Sequence, residues 1–173
     1  MKSKLTFIVI IFFSVILSAC SEDDTIVVEQ EKADLINNTF PEAQAEIQTV
    51  INGIFKSIQD NDSDKLISYH IYGPKFTEFR DSQFRFGSAE NEEYERGFVG
   101  AISGFDYNLD DLKINVFGEV AVVTFHADFR PTIAGEVHQI WGSTTLVFVK
   151  VNEEWKITHE HHSPLIVPDD ESH

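Results

Sequence analysis

Apolar residues recur at spacings of three and four between residues 47 and 58. This period predicts an amphipathic helix of about five turns that begins near Thr39. The Asn-Asp-Ser-Asp run at residues 61–64 ends this helix and caps a short second one. A third helix is predicted over residues 89–103. Three helices are therefore predicted in the first half of the folded region.

After Gly104 the pattern changes to long runs rich in Val, Ile, Phe and Thr, which favour β-strands. Four strands separated by turns are predicted over residues 112–117, 119–130, 138–151 and 154–163. Helices followed by an antiparallel meander are typical of the α+β class. In the last strand, alternation places His159 and His161 on the same face as Trp155 and Ile157. Because that face carries the apolar residues, both histidines are predicted to point inward.

The first twenty residues predict where the protein is directed. A basic start and an apolar run too short for a typical membrane-spanning helix lead to Cys20, the one cysteine of the 173-residue chain. The ending Leu-Ser-Ala-Cys at residues 17–20 resembles the bacterial lipobox, at which a signal peptide is removed and the cysteine is lipidated. The predicted organisation is a signal peptide (1–19), lipidated Cys20 with an acidic tether (20–38), one α+β domain (39–165) and a polar tail (166–173).

This organisation predicts a bacterial envelope lipoprotein, anchored in the outer membrane through the lipid on Cys20. Acidic residues directly after Cys20 resemble export signals that send lipoproteins to the cell surface, so surface exposure is part of the expectation. The chain carries a net charge of −16 at pH 7. Such a charge disfavours binding to nucleic acid, which is itself strongly negative.

The element order and the closing strand together resemble a known family. The strand reads Trp-Lys-Ile-Thr-His-Glu-His-His-Ser over residues 155–163. It resembles the SnoaL-like branch of the nuclear transport factor 2-like superfamily, and the likeness extends over residues 39–165. The resemblance implies a cone of three N-terminal helices packed on a strongly bent antiparallel sheet, with a pocket and a homodimer formed through the sheet face. That architecture hosts isomerases, dehydratases, cyclases, binding proteins and assembly domains, so the fold does not select a function.

An apolar cavity with a few polar groups is the ordinary form of a small-molecule site. The residues predicted to line it are Tyr69, Phe98, Phe125, Phe129, Trp141, His159 and His161. The favoured function is therefore binding of a small, partly apolar molecule. One alternative is an isomerase, dehydratase or cyclase with His159 or His161 as general base and Tyr69 as a hydroxyl donor. Another is a dimeric assembly module with a filled cavity.

Binding is favoured over catalysis because the sequence places no carboxylate in the pocket. A zinc site is a further alternative, since His159 and His161 have the spacing of two zinc ligands, with His126 or His70 as a third. His126 falls on the opposite strand face, and the family resemblance accounts for the histidine pair. No metal and no cofactor are therefore predicted.

Overall fold

Helices precede most of the sheet in a computed structural model that describes residues 33–166. The helices are α1 (Pro41–Gln59), α2 (Ser63–Ile67) and α3 (Ser88–Ala101). The strands are β1 (Thr77–Arg80), β2 (Ile102–Phe117), β3 (Val120–Ile133), β4 (Glu136–Val137), β5 (Ile140–Val151) and β6 (Glu154–Pro164). The chain thus has the predicted α+β character. However, α2 is a single turn of 5 residues and α3 follows the first strand.

The sheet is mixed. Its strand order is β1-β6-β5-β3-β2, with β4 paired to β3. The pairs among β2, β3, β5 and β6 are antiparallel as predicted, whereas β1 joins β6 in parallel. The expectation of a purely antiparallel sheet is therefore wrong at this edge. Sequence alternation marks a strand but does not state the direction of its neighbour.

Strand β2 begins ten residues earlier than predicted. Residues 102–111 are rich in Ser, Gly, Asp and Asn, which have low strand propensity. Pairing with β3 holds them extended, with Phe105 opposite Pro131 and Tyr107 opposite Phe129. Tertiary pairing has outweighed local preference in this segment.

The core lies between α1 and the sheet. The most deeply buried apolar side chains include Ile47 and Ile51 of α1, Val123 of β3, Phe148 of β5 and Ile157 of β6. Trp155 belongs to the same core, and its indole N–H donates to Glu46 Oε2 on α1 at 2.7 Å. The apolar stripe predicted from the helical period is thus the face that α1 buries.

The predicted signal peptide, Cys20, the tether up to residue 32 and the tail after residue 166 lie outside the described residues. Within the tether, Asp34 accepts hydrogen bonds from the backbone N–H groups of Ile36 and Asn37, which forms a turn before α1. In the described part of the chain, no helix has both the length and the apolar character needed to cross a membrane.

Candidate functional site

Strand β6 changes phase half-way along its length. Ile157 lies opposite Phe148 of β5, but His159 lies opposite Val147, so Thr158 is an extra residue and forms a β-bulge. Trp155 and Ile157 are buried before the bulge, whereas Glu160 is the buried residue after it. The bulge therefore turns Glu160, and not its histidine neighbours, toward the interior.

Strand β1 repeats this arrangement beside β6. The parallel register places Glu78 opposite Glu160 and Arg80 opposite His162. Glu78, Arg80 and Glu160 are all buried. Because alternate residues of a strand share a face, two neighbouring strands deliver a patch of charged side chains to the inside of the sheet. His162 lies on this same face.

The inward orientation predicted for His159 and His161 is wrong, because the prediction assumed unbroken alternation through Thr158. Both lie on the outer face with Thr77 and Phe79 of β1. His159 Nδ1 is 2.8 Å from Thr77 Oγ1, and the Phe79 ring packs edge-on 5.9 Å from the His159 ring and 6.1 Å from the His161 ring. Burial lowers the pKa of His159 below its usual value.

A buried histidine lies behind the charged patch. His70 follows α2, where its Nδ1 is 3.2 Å from the Leu66 carbonyl oxygen. A carbonyl oxygen can only accept, so Nδ1 carries a hydrogen. His70 Nε2 lies 3.0 Å from Glu160 Oε1 and 3.4 Å from Glu95 Oε1 of α3. One imidazole thus sits between two carboxyl groups.

These three groups have strongly altered acidities. Burial alone would lower the pKa of His70, but the Glu160 and Glu95 carboxylates raise it to about 9. Burial alone would raise the pKa of Glu160, but His70 and His162 hold it well below its usual range. Burial, together with repulsion from Glu160, raises the pKa of Glu95 to about 7, although His70 and Tyr72 oppose this shift. At neutral pH, His70 and Glu160 therefore form an ion pair. Glu95 is partly protonated at the same pH, because its pKa is about 7.

Neutral side chains complete the network. Tyr72 donates its hydroxyl hydrogen to Glu95 Oε2 at 3.0 Å, and Asn91 Nδ2 donates to Glu160 Oε2 at 3.2 Å. Asn91 Oδ1 accepts from Arg80 Nη2 at 2.9 Å, and Arg80 also pairs with Glu78. Hydrogen bonds between such groups fix the carboxyl oxygens in one orientation.

The network forms one wall of a cavity of about 180 Å³. The apolar lining residues are Ile58, Leu66, Phe98, Ala127, Phe129, Ile140 and Trp141. The polar or charged ones are Arg80, Asp81, Tyr94, Glu95, Thr144, Glu160, His162 and Ser163, and Gly142 completes the wall. Tyr94 and Ile140 are about half exposed, so the cavity reaches the surface beside them.

Three of the residues predicted to line a pocket, Phe98, Phe129 and Trp141, line this cavity. Phe125 lies in the core, with its ring 6.2 Å from that of Phe55. Tyr69 packs on α1, so closely that a Cβ at Gly53 would lie 2.2 Å from the Tyr69 hydroxyl oxygen. Neither Phe125 nor Tyr69 is in the cavity lining.

Sequence reasoning missed the charged residues of the wall. Glu95 had a usable signal, because it precedes Phe98 by three positions and therefore shares its helix face. Glu160 and His162 had none, since nothing in the sequence announces a bulge at Thr158. The burial of Arg80 could not be predicted, because β1 reverses the usual pattern and buries its charged residues while it exposes Phe79.

Among residues 33–166, two groups of side chains could hold a metal ion. They are His70 with Glu95 and Glu160, and Glu78 with Glu160 and His162, each offering atoms within 4.8 Å of one another. In the first group, the Nδ1–H of His70 faces a carbonyl, as is common for metal-binding histidines. The same atoms also form a direct hydrogen-bonded ion pair, which balances charge without an ion. Neither group contains His159, His161 or His126.

A family model described as a SnoaL-like domain matches residues 47–168. The chain belongs to the SnoaL-like family. The match includes most of α1, the charged wall and β6, so the cavity lies within the SnoaL-like domain itself. No curated protein matches the chain.

Solved structures share the fold. A candidate dehydratase of the nuclear transport factor 2-like family from Streptomyces avermitilis is 16% identical, with a TM-score of 0.66, over 73% of this chain and 99% of that one. A nuclear transport factor 2-like superfamily protein from Salmonella enterica is 23% identical, with a TM-score of 0.64, over 77% and 99%. A candidate scytalone dehydratase from Novosphingobium aromaticivorans is 14% identical, with a TM-score of 0.66, over 76% and 89%. At these identities the likeness establishes the nuclear transport factor 2-like fold alone.

Proposed function

We propose that this SnoaL-like domain binds a small, partly apolar organic molecule in the cavity between α3 and the sheet. The observation that carries the proposal is the composition of the wall, which joins Phe98, Phe129 and Trp141 to a few convergent polar groups. An apolar protein cavity of about 150 Å³ accepts a benzene ring. A volume of about 180 Å³ therefore suits a ligand with one ring or a short branched chain.

A thermal-shift screen of the full chain against small aromatic and aliphatic compounds tests this proposal. A ligand at about a hundred times its dissociation constant stabilises the folded state by roughly 2.7 kcal/mol. We expect Ala127→Leu to abolish the shift, because Ala127 lines the cavity and a larger side chain would fill it. The matched control is His126→Leu at the preceding position of β3, which is exposed.

The screen also separates the competing functions. No shift from any compound would contradict ligand binding and favour a non-catalytic assembly module. A shift from zinc alone would favour a metal site in one of the two groups described above, both of which contain Glu160. If a compound still raises the melting temperature of the Ala127→Leu variant, it binds outside this cavity.

A second candidate function is acid–base catalysis of the isomerase or dehydratase kind. The observation that favours it is Glu95, which lines the cavity and whose pKa is raised to about 7, chiefly by burial. A carboxyl group with that pKa can donate or accept a proton at neutral pH. Glu95 takes the role first assigned to His159 or His161, because those histidines lie on the outer face. Two structures with this fold are named as candidate dehydratases, which agrees with such chemistry.

Deuterium exchange tests the second candidate. A cavity ligand with an acidic C–H bond should exchange that hydrogen in D₂O when Glu95 is present. Glu95→Gln should stop the exchange without preventing binding, and Glu93→Gln, at an exposed position of the same helix, is the control. Exchange that persists in Glu95→Gln would leave Glu95 without a catalytic role.

The proposed setting is the bacterial envelope, with the domain anchored in the outer membrane by a lipid on Cys20. The lipobox-like ending at residues 17–20 supports this setting. Labelling of the chain by a fatty acid should be lost in Cys20→Ser. A homodimer formed through the outer sheet face is also proposed, and sedimentation analysis would test it.

A further inference from the structure

We infer that the cavity ligand carries a carboxylate group that binds Arg80. This inference rests on the proposed function and adds the chemical class of the ligand. It starts from the end of β1, where a buried guanidinium lies in the cavity wall with much of its hydrogen-bonding capacity unused.

The hydrogen bonds of Arg80 use one of its nitrogen atoms. Nη2 donates to Glu78 Oε1 and to Asn91 Oδ1. An arginine side chain has five N–H bonds, so the hydrogen at Nε and two at Nη1 have no partner among the described residues. In that part of the chain, Glu78 Oε2 is the side-chain atom that is both fully buried and without a partner. The free N–H groups of Arg80 therefore reach open space, although the side chain is only 9% exposed.

The guanidinium is held rigidly. Its Cζ lies 3.2 Å from the ring centroid of Tyr94, which also lines the cavity. Its two hydrogen-bond partners, Glu78 and Asn91, are both completely buried. A fixed guanidinium with free donors binds an anionic oxygen with little loss of conformational entropy.

The charges of the wall favour a single carboxylate over a more highly charged group. Glu160 is neutralised by His70, and Glu78 is paired with Arg80. Glu95 and the exposed Asp81 are the other acidic residues of the lining, and His162 is its second basic residue. A phosphate dianion would meet the carboxylates at close range, whereas a monoanion places one charge beside Arg80. The rest of the ligand would then contact Phe98, Phe129 and Trp141.

Paired compounds of equal shape test the inference on the full chain. The probes are benzoate with benzamide and phenylacetate with phenylacetamide, measured by ligand-observed NMR. A charge-assisted hydrogen bond is roughly twice as strong as a neutral one, so we expect each acid to bind at least about tenfold more tightly than its amide.

The variants are chosen so that folding does not obscure the result. Glu78→Gln with Arg80→Gln removes both charges of the pair and leaves no buried ion alone. In this double variant the affinity for the acid should fall to that for the amide. Arg85→Gln, at an exposed position outside the cavity lining, should leave the ratio unchanged.

The outcomes separate this inference from the proposed function. Amides that bind as tightly as acids, or a preference for acids that survives in the double variant, would overturn the role of Arg80. If neutral compounds from the wider screen bind and are lost in Ala127→Leu while no acid binds, the cavity proposal stands and the carboxylate inference fails. If no compound of either set binds, both fail.

Discussion

The buried face of β6 has two halves with opposite chemistry. Before the bulge at Thr158, Trp155 and Ile157 join the apolar core beneath α1. After the bulge, Glu160 and His162 face the cavity and the groups carried by α3. The two halves belong to one strand, yet the first buries apolar side chains and the second buries a carboxyl group.

The first half stabilises the fold, whereas the second half supplies the candidate functional site. Burial of apolar side chains in the first half stabilises the folded state. Burial of carboxyl groups in the second half costs free energy unless each is paired, and replacing such pairs by apolar residues is often neutral or stabilising. The second half is therefore poorly explained by stability, and titratable groups with shifted pKa values beside a cavity are typical of functional sites.

The largest expected effect lies in the apolar core that the first half joins. Phe148→Ala should lower the free energy of unfolding by about 3–5 kcal/mol, because Phe148 is fully buried opposite Ile157. Chemical denaturation measures this loss. Ligand affinity at a temperature where the variant is folded should be retained, since Phe148 is not in the cavity lining. A comparable loss of affinity would show that the two halves are not separable.

Glu160→Gln should destabilise the protein by about 2–3 kcal/mol at pH 6, because it leaves the buried His70 cation without its main partner. In the wild type, burial opposes the charge on His70, but Glu160 and Glu95 raise its pKa from 6.5 to about 9. That stabilisation is complete below pH 6.5 and is lost as the pH rises through 9. NMR titration of His70 should show its pKa falling in the variant. An unchanged titration would mean that Glu160 does not hold the proton.

Glu95→Gln should have a smaller effect of the opposite sign. The folded-state pKa of Glu95, raised chiefly by burial, is about 7 against an ordinary value of 4.5. The wild type therefore loses stability as the pH rises from 4.5 through 7, and the variant does not. Between pH 5 and pH 8, the difference in unfolding free energy should move in favour of the variant by about 2 kcal/mol. Glu93→Gln is the matched control, and equal behaviour of the two variants would contradict the burial of Glu95.

The smallest effect is expected on the outer face. His161→Ala should change the free energy of unfolding by no more than about 0.5 kcal/mol, because His161 is exposed. Ligand affinity, measured by the same NMR experiment, should not change. A clear loss of affinity would show that His161 contributes to the ligand site, contrary to its position on the outer face.

Much of the apolar core that the first half joins was predictable from sequence, and so was part of the cavity wall. The spacing of Ile47, Ile51 and Ile54 identifies the buried face of α1, and the turn at Asn152 and Glu153 forms where predicted, with positive φ at both residues. The sequence also predicts Phe98, Phe129 and Trp141 as wall residues, because large aromatic side chains in helices and strands can be recognised from sequence alone.

The second half was not predictable, for two physical reasons. One extra residue in β6 shifts the phase of every later side chain, and its cost or benefit depends on the pairing with β5. Strand β1 joins β6 in parallel through contacts distant in sequence, and this register places Glu78 beside Glu160 and Arg80 beside His162. Such a network is defined by its partners and has no local signature.

The second half of β6 and α3 together form a titratable wall, in which Glu95 gains and loses its proton near neutral pH. A ¹³C NMR titration of the Glu95 carboxyl carbon, assigned with Glu95→Gln, tests it most directly. The account predicts a pKa of about 7, raised by burial and by Glu160. A midpoint near the ordinary value of 4.5 would contradict it, because Glu95 would then be a solvated carboxylate and the wall would lack its acid.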